Sequence, residues 1–371
     1  MNAIQSVFKH EYQGLRSSLS LDQLKAADNI ISCRTAKMGA RELRCPSGEA
    51  GHDYCYMYNS CHYRHCPQCN AIPRAKWLKD YQSKSLNCAH RQVVFTIPHE
   101  LNKLWLYNKK ELSNLLFRSV SNTLKVFLHD PKWLGATAGF SLVLHTWGRN
   151  LSLHPHIHAV ITEGGLSADG WIKPKHKEFL PAVAMMHKFR GAYIGGLRKL
   201  LRQEKVTMPE GVDQRELRKT LDTVYREKKW NLKVEKGSCQ GSGLTKYLSR
   251  YLKGGPISPN QVKSDGGSVK LRYKDHRTGL IRRHRFSNSG FMKQLLTHIP
   301  PRSMPMIRHH GLYAGSNKEL RDQAAQLLPT GTAIFTIEGH LRSIGIKRSD
   351  SCSVCSRTMK VRTLTSRELT D

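Results

Sequence analysis

Two short stretches hold side chains from which a reaction could be built. In His154-Pro155-His156-Ile157-His158 the side chains of an extended strand alternate, so His156 and His158 leave one face ~7 Å apart while Ile157 anchors the other. Two imidazoles so placed can hold a divalent metal; the plainer reading is a surface strand with incidental histidines. In Lys246-Tyr247-Leu248-Ser249-Arg250-Tyr251-Leu252-Lys253 the two tyrosines share one helical face, with Cβ atoms ~5–6 Å apart. With Leu244, Leu248 and Leu252 they would equally make an ordinary core stripe. Taken together, the stretches point to one chemistry. A phenol of pKa about 10 is a poor nucleophile at neutral pH, yet it can attack a phosphodiester once a metal polarises the scissile phosphate. Lys246, Arg250 and Lys253 would gather DNA phosphates around the tyrosines. One tyrosine would cleave and hold a 5′-phosphate, and the second could cleave again or accept another strand.

The cysteines form a separate constellation. Of the 10 in the chain, Cys33, Cys45, Cys55, Cys61, Cys66 and Cys69 crowd into one segment. Cys66-x-x-Cys69 has the spacing to grip a tetrahedral zinc, and Cys61 lies near enough to join it. Cys33, Cys45, His52 and Cys55 are available to complete that site or to build a second. Cys352-x-x-Cys355 is half a site on its own. Disulfides are rare in the reducing cytoplasm, so clustered thiols there read as metal ligands.

These groups need elements to position them. Apolar residues at helical spacing predict one or two short helices over 1–30 and a longer run over Leu101–Leu128. Arg91–Ile97 reads as a strand ended by Pro98. Phe140–Trp147 and His156–Thr162 read as neighbouring strands across a polar turn, and Val269–Tyr273 with Leu280–Phe286 as a hairpin. Residues 33–70 lack periodicity and read as a small metal-stapled module. Residues 182–235 are helical and basic, and the chain ends in a polar, mobile tail. With no regular strand–helix alternation, the fold class expected is α+β with an antiparallel sheet.

The chain has 371 residues, room for two or three domains. Its 60 Lys and Arg against 28 Asp and Glu leave a formal net charge of +32. That imbalance argues against most metabolic enzymes and for a polyanion, foremost nucleic acid, since basic side chains displace condensed counterions from phosphates. No apolar run is long enough to span a membrane and the N-terminus has no apolar signal core, so a cytoplasmic, nucleoid-associated protein is expected.

The motifs also resemble a known family. FTIPHEL (Phe95–Leu101), HTW (His145–Trp147), HPHIHAVITEGG (His154–Gly165) and YLSRYLK (Tyr247–Lys253) look like the successive motifs of bacterial rolling-circle transposases, the two-tyrosine, His-hydrophobic-His enzymes of insertion sequences. YNSCHYRHCPQC (Tyr58–Cys69) is similar to their N-terminal zinc-binding domain. RYKDHRTG (Arg272–Gly279) and IPPRSMPMIRHHGLYAG (Ile299–Gly315) resemble later blocks. The resemblance implies a ferredoxin-like antiparallel nuclease core, Mg²⁺ or Mn²⁺ at His156 and His158, and covalent attachment through Tyr247 or Tyr251. It also implies single-stranded DNA at insertion-sequence ends as substrate, and Zn²⁺ in the N-terminal module. The family usually shows a CxxC where this chain has Cys45-Pro-Ser-Gly, so His52 or Cys55 would have to supply the missing ligand. His145 is a candidate third ligand of the catalytic metal. The implied layout is N-terminal helices over 1–32, a zinc-binding domain over 33–85, a catalytic domain over 86–315 with a basic helical insertion about 182–235, and a C-terminal extension over 316–371.

Two other readings compete. A transposase with an acidic triad and two metals needs converging carboxylates, and those near predicted strands, Asp130 and Glu163, show no pairing. A zinc-dependent DNA-binding regulator without catalysis accounts for charge and cysteines but leaves the histidine strand and the tyrosine pair as coincidences.

Overall fold

The computed structural model describes residues 2–176, 179–226, 230–235, 255–275, 278–330, 336–343 and 351–369. The chain opens with amphipathic helices α1 (Ala3–Leu15) and α2 (Leu21–Ser32). Ser20 and Gln23 cap α2 reciprocally, satisfying amides that the helix leaves unpaired. Strands β1 (Ala40–Arg44) and β2 (Tyr54–Tyr58) follow, then helix α3 (Ala71–Lys84) and strand β3 (His90–Thr96). The helical run expected over 101–128 is two helices, α4 (Asn102–Tyr107) and α5 (Lys109–His129). It breaks at Asn108, whose side chain donates to the Leu104 and Thr207 carbonyls and accepts from the Thr207 amide. Such side-chain bonds to backbone compete with helix continuation.

The expected strand pair is a hairpin of β4 (Gly139–Trp147) and β5 (Leu153–Thr162), followed by short strands β6 (Gly165–Ser167) and β7 (Gly170–Ile172). Helices α6 (Ala182–Arg202) and α7 (Gln214–Arg226) make up most of the basic stretch, which ends in strand β8 (Leu232–Val234). Beyond it lie β9 (Val262–Ser264), β10 (Ser268–Lys274), β11 (Ile281–Ser287), helix α8 (Asn288–Thr297) and β12 (Ile307–Gly311). Helices α9 (Lys318–Gln326) and α10 (Ile337–Ser343) precede a last strand, β13 (Lys360–Leu364).

The main sheet runs β12-β4-β5-β3-β8, with every neighbouring pair antiparallel. The fold is thus mixed α and β with antiparallel sheets. β5 is the middle strand, hydrogen-bonded on both sides. One face of the sheet is largely apolar: Phe95, Leu142, Leu144, Ile157 and Ile161 pack under α5 and α6 against Leu112, Leu116 and Phe189, with Arg308 and His310 at its β12 edge. The opposite face is divided. At one end Val143 and Val160 pack beneath Leu78 and Tyr81 of α3; at the other stand histidines. Alternation along β5 therefore assigns the strand two jobs, a core on one side and a polar floor on the other.

A second core joins α1, α2 and α8 to β9 and β10, and Cys33, Cys66 and Cys69 are part of it. The helices expected as a separate piece over 1–32 share this core with the cysteine module, and Gln5 Nε2 donates to the Cys33 carbonyl at 2.9 Å. The tail expected to be mobile instead carries β13, which pairs antiparallel with β1 from Ala40↔Leu364 to Arg44↔Lys360. Its polar composition conceals a strand because its partner supplies the hydrogen bonds.

Candidate active site and zinc module

Three histidines converge on the divided face. β4 and β5 pair with His145 opposite His156 and Val143 opposite His158. The side chains of His145, His156 and His158 are buried, and their available nitrogens lie within 4.8 Å of one another. His156 Nδ1 donates to the His154 carbonyl at 2.6 Å. That bond fixes the tautomer and leaves the Nε2 lone pair facing His158 Nε2, 3.1 Å away. Two ligands at ~2.1 Å from one ion, ~90–110° apart, are themselves ~3.0–3.4 Å apart, so the pair fits a shared divalent cation. Burial first, and then the His145 charge, push both imidazoles well below the usual histidine range, which keeps them neutral and able to ligate. Trp147 stacks on His145, centroids 4.6 Å apart and planes 18° from parallel, and so restricts its rotation.

Strand spacing offers His156 and His158 as a pair that could ligate, and the family resemblance is what assigns them the metal. Sequence reasoning could name His145 only as a candidate, because the cross-strand register places it. Tyr247 and Tyr251, with Lys246, Arg250 and Lys253, lie outside the described residues. The carboxylates weighed for an acidic mechanism have other work. Glu163 pairs with Arg91 at 2.6 Å, and Asp130 accepts from the Lys132 amide at 2.9 Å. Among the described residues the clusters able to hold a metal ion contain only histidine and cysteine.

Cys61, Cys66 and Cys69 come together with Cys33, their sulfurs all within 4.8 Å and Cys61–Cys69 at 3.6 Å. Cys33 caps the C-terminal end of α2, and Cys66-x-x-Cys69 forms the turn that leads into α3. Four thiols at these distances suit tetrahedral zinc. Cys45 does not join them; it sits with His52, Cys352 and Cys355. Cys55 belongs to neither group: it is exposed on β2, with no cluster of ligands around it among the described residues. The crowding of six cysteines into one segment invites its inclusion, but on β2 it stands opposite Leu43 and joins neither set of ligands.

Part of the charge lies on the ribbon of β10 and β11. Residues 281–285 of β11 are exposed, and in the pairing with β10 Lys270 stands opposite Arg285 and Arg272 opposite Arg283. Like charges directly opposite each other destabilise a sheet. Asp265 offsets the first row, at 3.1 Å from Lys270 and 4.0 Å from Arg285; among the described residues no carboxylate pairs with Arg272 or Arg283. The ribbon is tied to the histidine hairpin, since Arg149 in the β4–β5 turn donates to the Lys274 carbonyl at 3.2 Å.

Buried histidines placed to ligate a cation, two cysteine clusters and a strongly basic chain are together the features of a protein that handles nucleic acids. The family comparisons agree. Residues 139–320 match a putative transposase family, and residues 4–97 match a transposase zinc-binding domain. A putative transposase, y4qJ, of Sinorhizobium fredii is 33% identical over 315 residues, 83% of this chain and 78% of that protein. The transposase for insertion sequence element IS801 of Pseudomonas savastanoi pv. phaseolicola is 28% identical over 303 residues, 79% of this chain and 70% of that one. Among solved structures, the conjugative relaxase TrwC, metal-bound and in complex with oriT DNA, aligns at 16% identity and a TM-score of 0.24 over 38% of this chain and 66% of that chain. That likeness is too slight to add to the topology. The chain belongs to the rolling-circle insertion-sequence transposases of the two-tyrosine, His-hydrophobic-His group, and it carries their N-terminal zinc-binding domain. No helix among its described residues is long and apolar enough to cross a membrane.

Proposed function

We propose that this transposase nicks and rejoins single-stranded DNA at insertion-sequence ends through a 5′-phosphotyrosine. The observation that carries the reading is the convergence of His145, His156 and His158 on one point of the sheet. A divalent cation held there would draw charge from a non-bridging oxygen of the scissile phosphate. Three nitrogen donors suit Mn²⁺ or a later first-row ion better than Mg²⁺, which prefers oxygen. Tyr247 or Tyr251 supplies the nucleophile. Its phenolic oxygen bonds to phosphorus, the P–O3′ bond breaks, and the phenolic proton ends on the freed 3′-hydroxyl. The phosphotyrosine conserves the phosphodiester energy, so a later 3′-hydroxyl can reverse the step and reseal the strand. Tyr247, which aligns with the first tyrosine of the family motif, makes the first attack. Lys246, Arg250 and Lys253 hold the strand across the site. We read the five-stranded sheet as the ferredoxin-like nuclease core of a catalytic domain over 86–315. A DNA substrate sets its work at the nucleoid.

The test is a labelled single-stranded oligonucleotide carrying an insertion-sequence end. With Mn²⁺ a covalent adduct should form and map by mass spectrometry to Tyr247 or Tyr251, and His156→Ala or His158→Ala should abolish it while DNA binding persists. An adduct on neither tyrosine, or full cleavage by the double alanine variant in EDTA, overturns the reading.

A further inference from the structure

The second thiol cluster joins parts of the chain that the zinc-binding domain match does not. That match spans 4–97, whereas Cys45 and His52 meet Cys352 and Cys355. Cys45 Sγ is 3.3 Å from His52 Nδ1 and 3.4 Å from Cys355 Sγ, and Cys352 Sγ is 3.6 Å from the same nitrogen. Tetrahedral zinc with Zn–S of ~2.3 Å and Zn–N of ~2.0–2.1 Å sets its ligands ~3.5–3.8 Å apart, close to these values. A disulfide needs sulfurs ~2.05 Å apart, far inside the Cys45–Cys355 separation. The surroundings are those of a built metal site. His52 Nε2 lies 3.3 Å from Glu49 Oε2, the carboxylate–histidine arrangement that orients an imidazole toward a metal. Asp53 accepts from the Ser353 amide and, at 2.8 Å, from its hydroxyl, which pins the Cys352–Cys355 turn in place.

We propose that Cys45, His52, Cys352 and Cys355 hold a second structural zinc, and that this ion clasps the C-terminal segment onto the N-terminal module. Three thiolates and one neutral imidazole close the coordination shell, so the ion has no open position for catalysis. His52 supplies what the missing CxxC at Cys45 would have supplied, from the loop between β1 and β2. The clasp sits at the end of β1, whose pairing with β13 it secures.

Metal analysis of the full chain, purified without chelators, should find two tightly held zinc ions. Cys352→Ser/Cys355→Ser should lose one of them and become sensitive to proteolysis after residue 350. Because that variant could fold poorly, the unaltered protein provides an independent arm. Titration with a mercurial should release zinc in two steps. Co²⁺ substitution should give the spectra of two centres, one with four thiolates and one with three thiolates and an imidazole. Undiminished zinc in the variant, the spectrum of a four-thiolate centre alone, or a Cys45–Cys355 disulfide in freshly isolated protein overturns the clasp.

The sheet so closed presents a second feature, carried by different residues. Tyr54, Tyr56 and Tyr58 alternate onto one face of β2 and are all more than two-fifths exposed. The register places Arg44 of β1 and Lys360 of β13 in the row of Tyr54, and Glu42 and then Arg362 in the row of Tyr56, with Glu42 accepting from the Tyr54 hydroxyl at 2.8 Å, so cations outnumber the single acid. Tyr54 and Tyr56 meet edge to face, centroids 5.5 Å apart, and exposed aromatic rings beside cations are the chemistry that stacks unpaired bases and tracks their backbone. Resting on the transposase reading, we infer that this face binds single-stranded DNA outside the nicking site. Tyr56→Ala/Tyr58→Ala should weaken binding of an oligothymidylate by tenfold or more, read by fluorescence anisotropy, while duplex binding changes little. At saturating DNA the variant should still form the tyrosine adduct. Unchanged oligothymidylate affinity overturns the platform and leaves the nicking reading standing; loss of the adduct at saturation would instead place these tyrosines in the nicking machinery.

Discussion

Acid should unlock the histidine hairpin through His298. Its imidazole is buried at the end of α8, where Nε2 donates to the Leu151 carbonyl at 2.9 Å and Nδ1 accepts from the Thr146 hydroxyl at 3.2 Å. Burial holds it down to about 4, against about 6.5 in an unfolded chain. The folded state therefore binds fewer protons than the unfolded one as the pH drops. Its stability is complete above about pH 6.5 and is lost progressively toward pH 4. Integrated from pH 7.5 to 5.0, this one side chain removes about 2 kcal/mol. Zinc release also begins in acid, so the measurement is a double difference: urea unfolding of the unaltered protein and of His298→Gln at both pH values. The stability gap between them should narrow by about 2 kcal/mol at pH 5.0, or about 0.7 M in midpoint at an m-value of roughly 3 kcal/mol/M. A gap that stays constant with pH would refute a neutral, buried His298.

Arg272→Gln/Arg283→Gln should weaken DNA binding and flatten the slope of log K against log salt by about 1.4–1.8, two phosphate contacts' worth; an unchanged slope removes the ribbon from the interface. Cys66→Ser should cost one zinc and expose α1 and α2 to protease, because Cys66 lies in their shared core, and intact helices in a zinc-depleted variant would contradict this. Gly311→Ala should lower stability by about 1–3 kcal/mol: φ is +58° and the added Cβ would collide with the Ala138 carbonyl, so an unchanged melting temperature would disprove the close approach of β12 to β4.

What could be read from the sequence was local. His156 and His158 share a face because a strand alternates, and Cys66 and Cys69 meet in one thiol cluster because a turn brings residues three apart together. Their remaining partners are set by long-range pairing. His145 depends on a β4–β5 register interrupted by an irregularity between His145 and Trp147. Cys33 belongs to a helix end, with no motif around it. The break at Asn108 needs the backbone of Thr207, a partner that no periodicity over 101–128 reveals. Lys360–Leu364 looks like solvated tail because its strand character comes from β1.

The meeting of Cys45 with Cys355 spans 310 positions of sequence. A ribosome adding roughly 5–20 residues each second takes about 15–60 s to cover that distance. For that interval the nascent chain has β1 without its β13 neighbour, one edge open to any passing strand, and Cys45 without its distant companions. A module translated early is therefore finished only by residues that follow it much later.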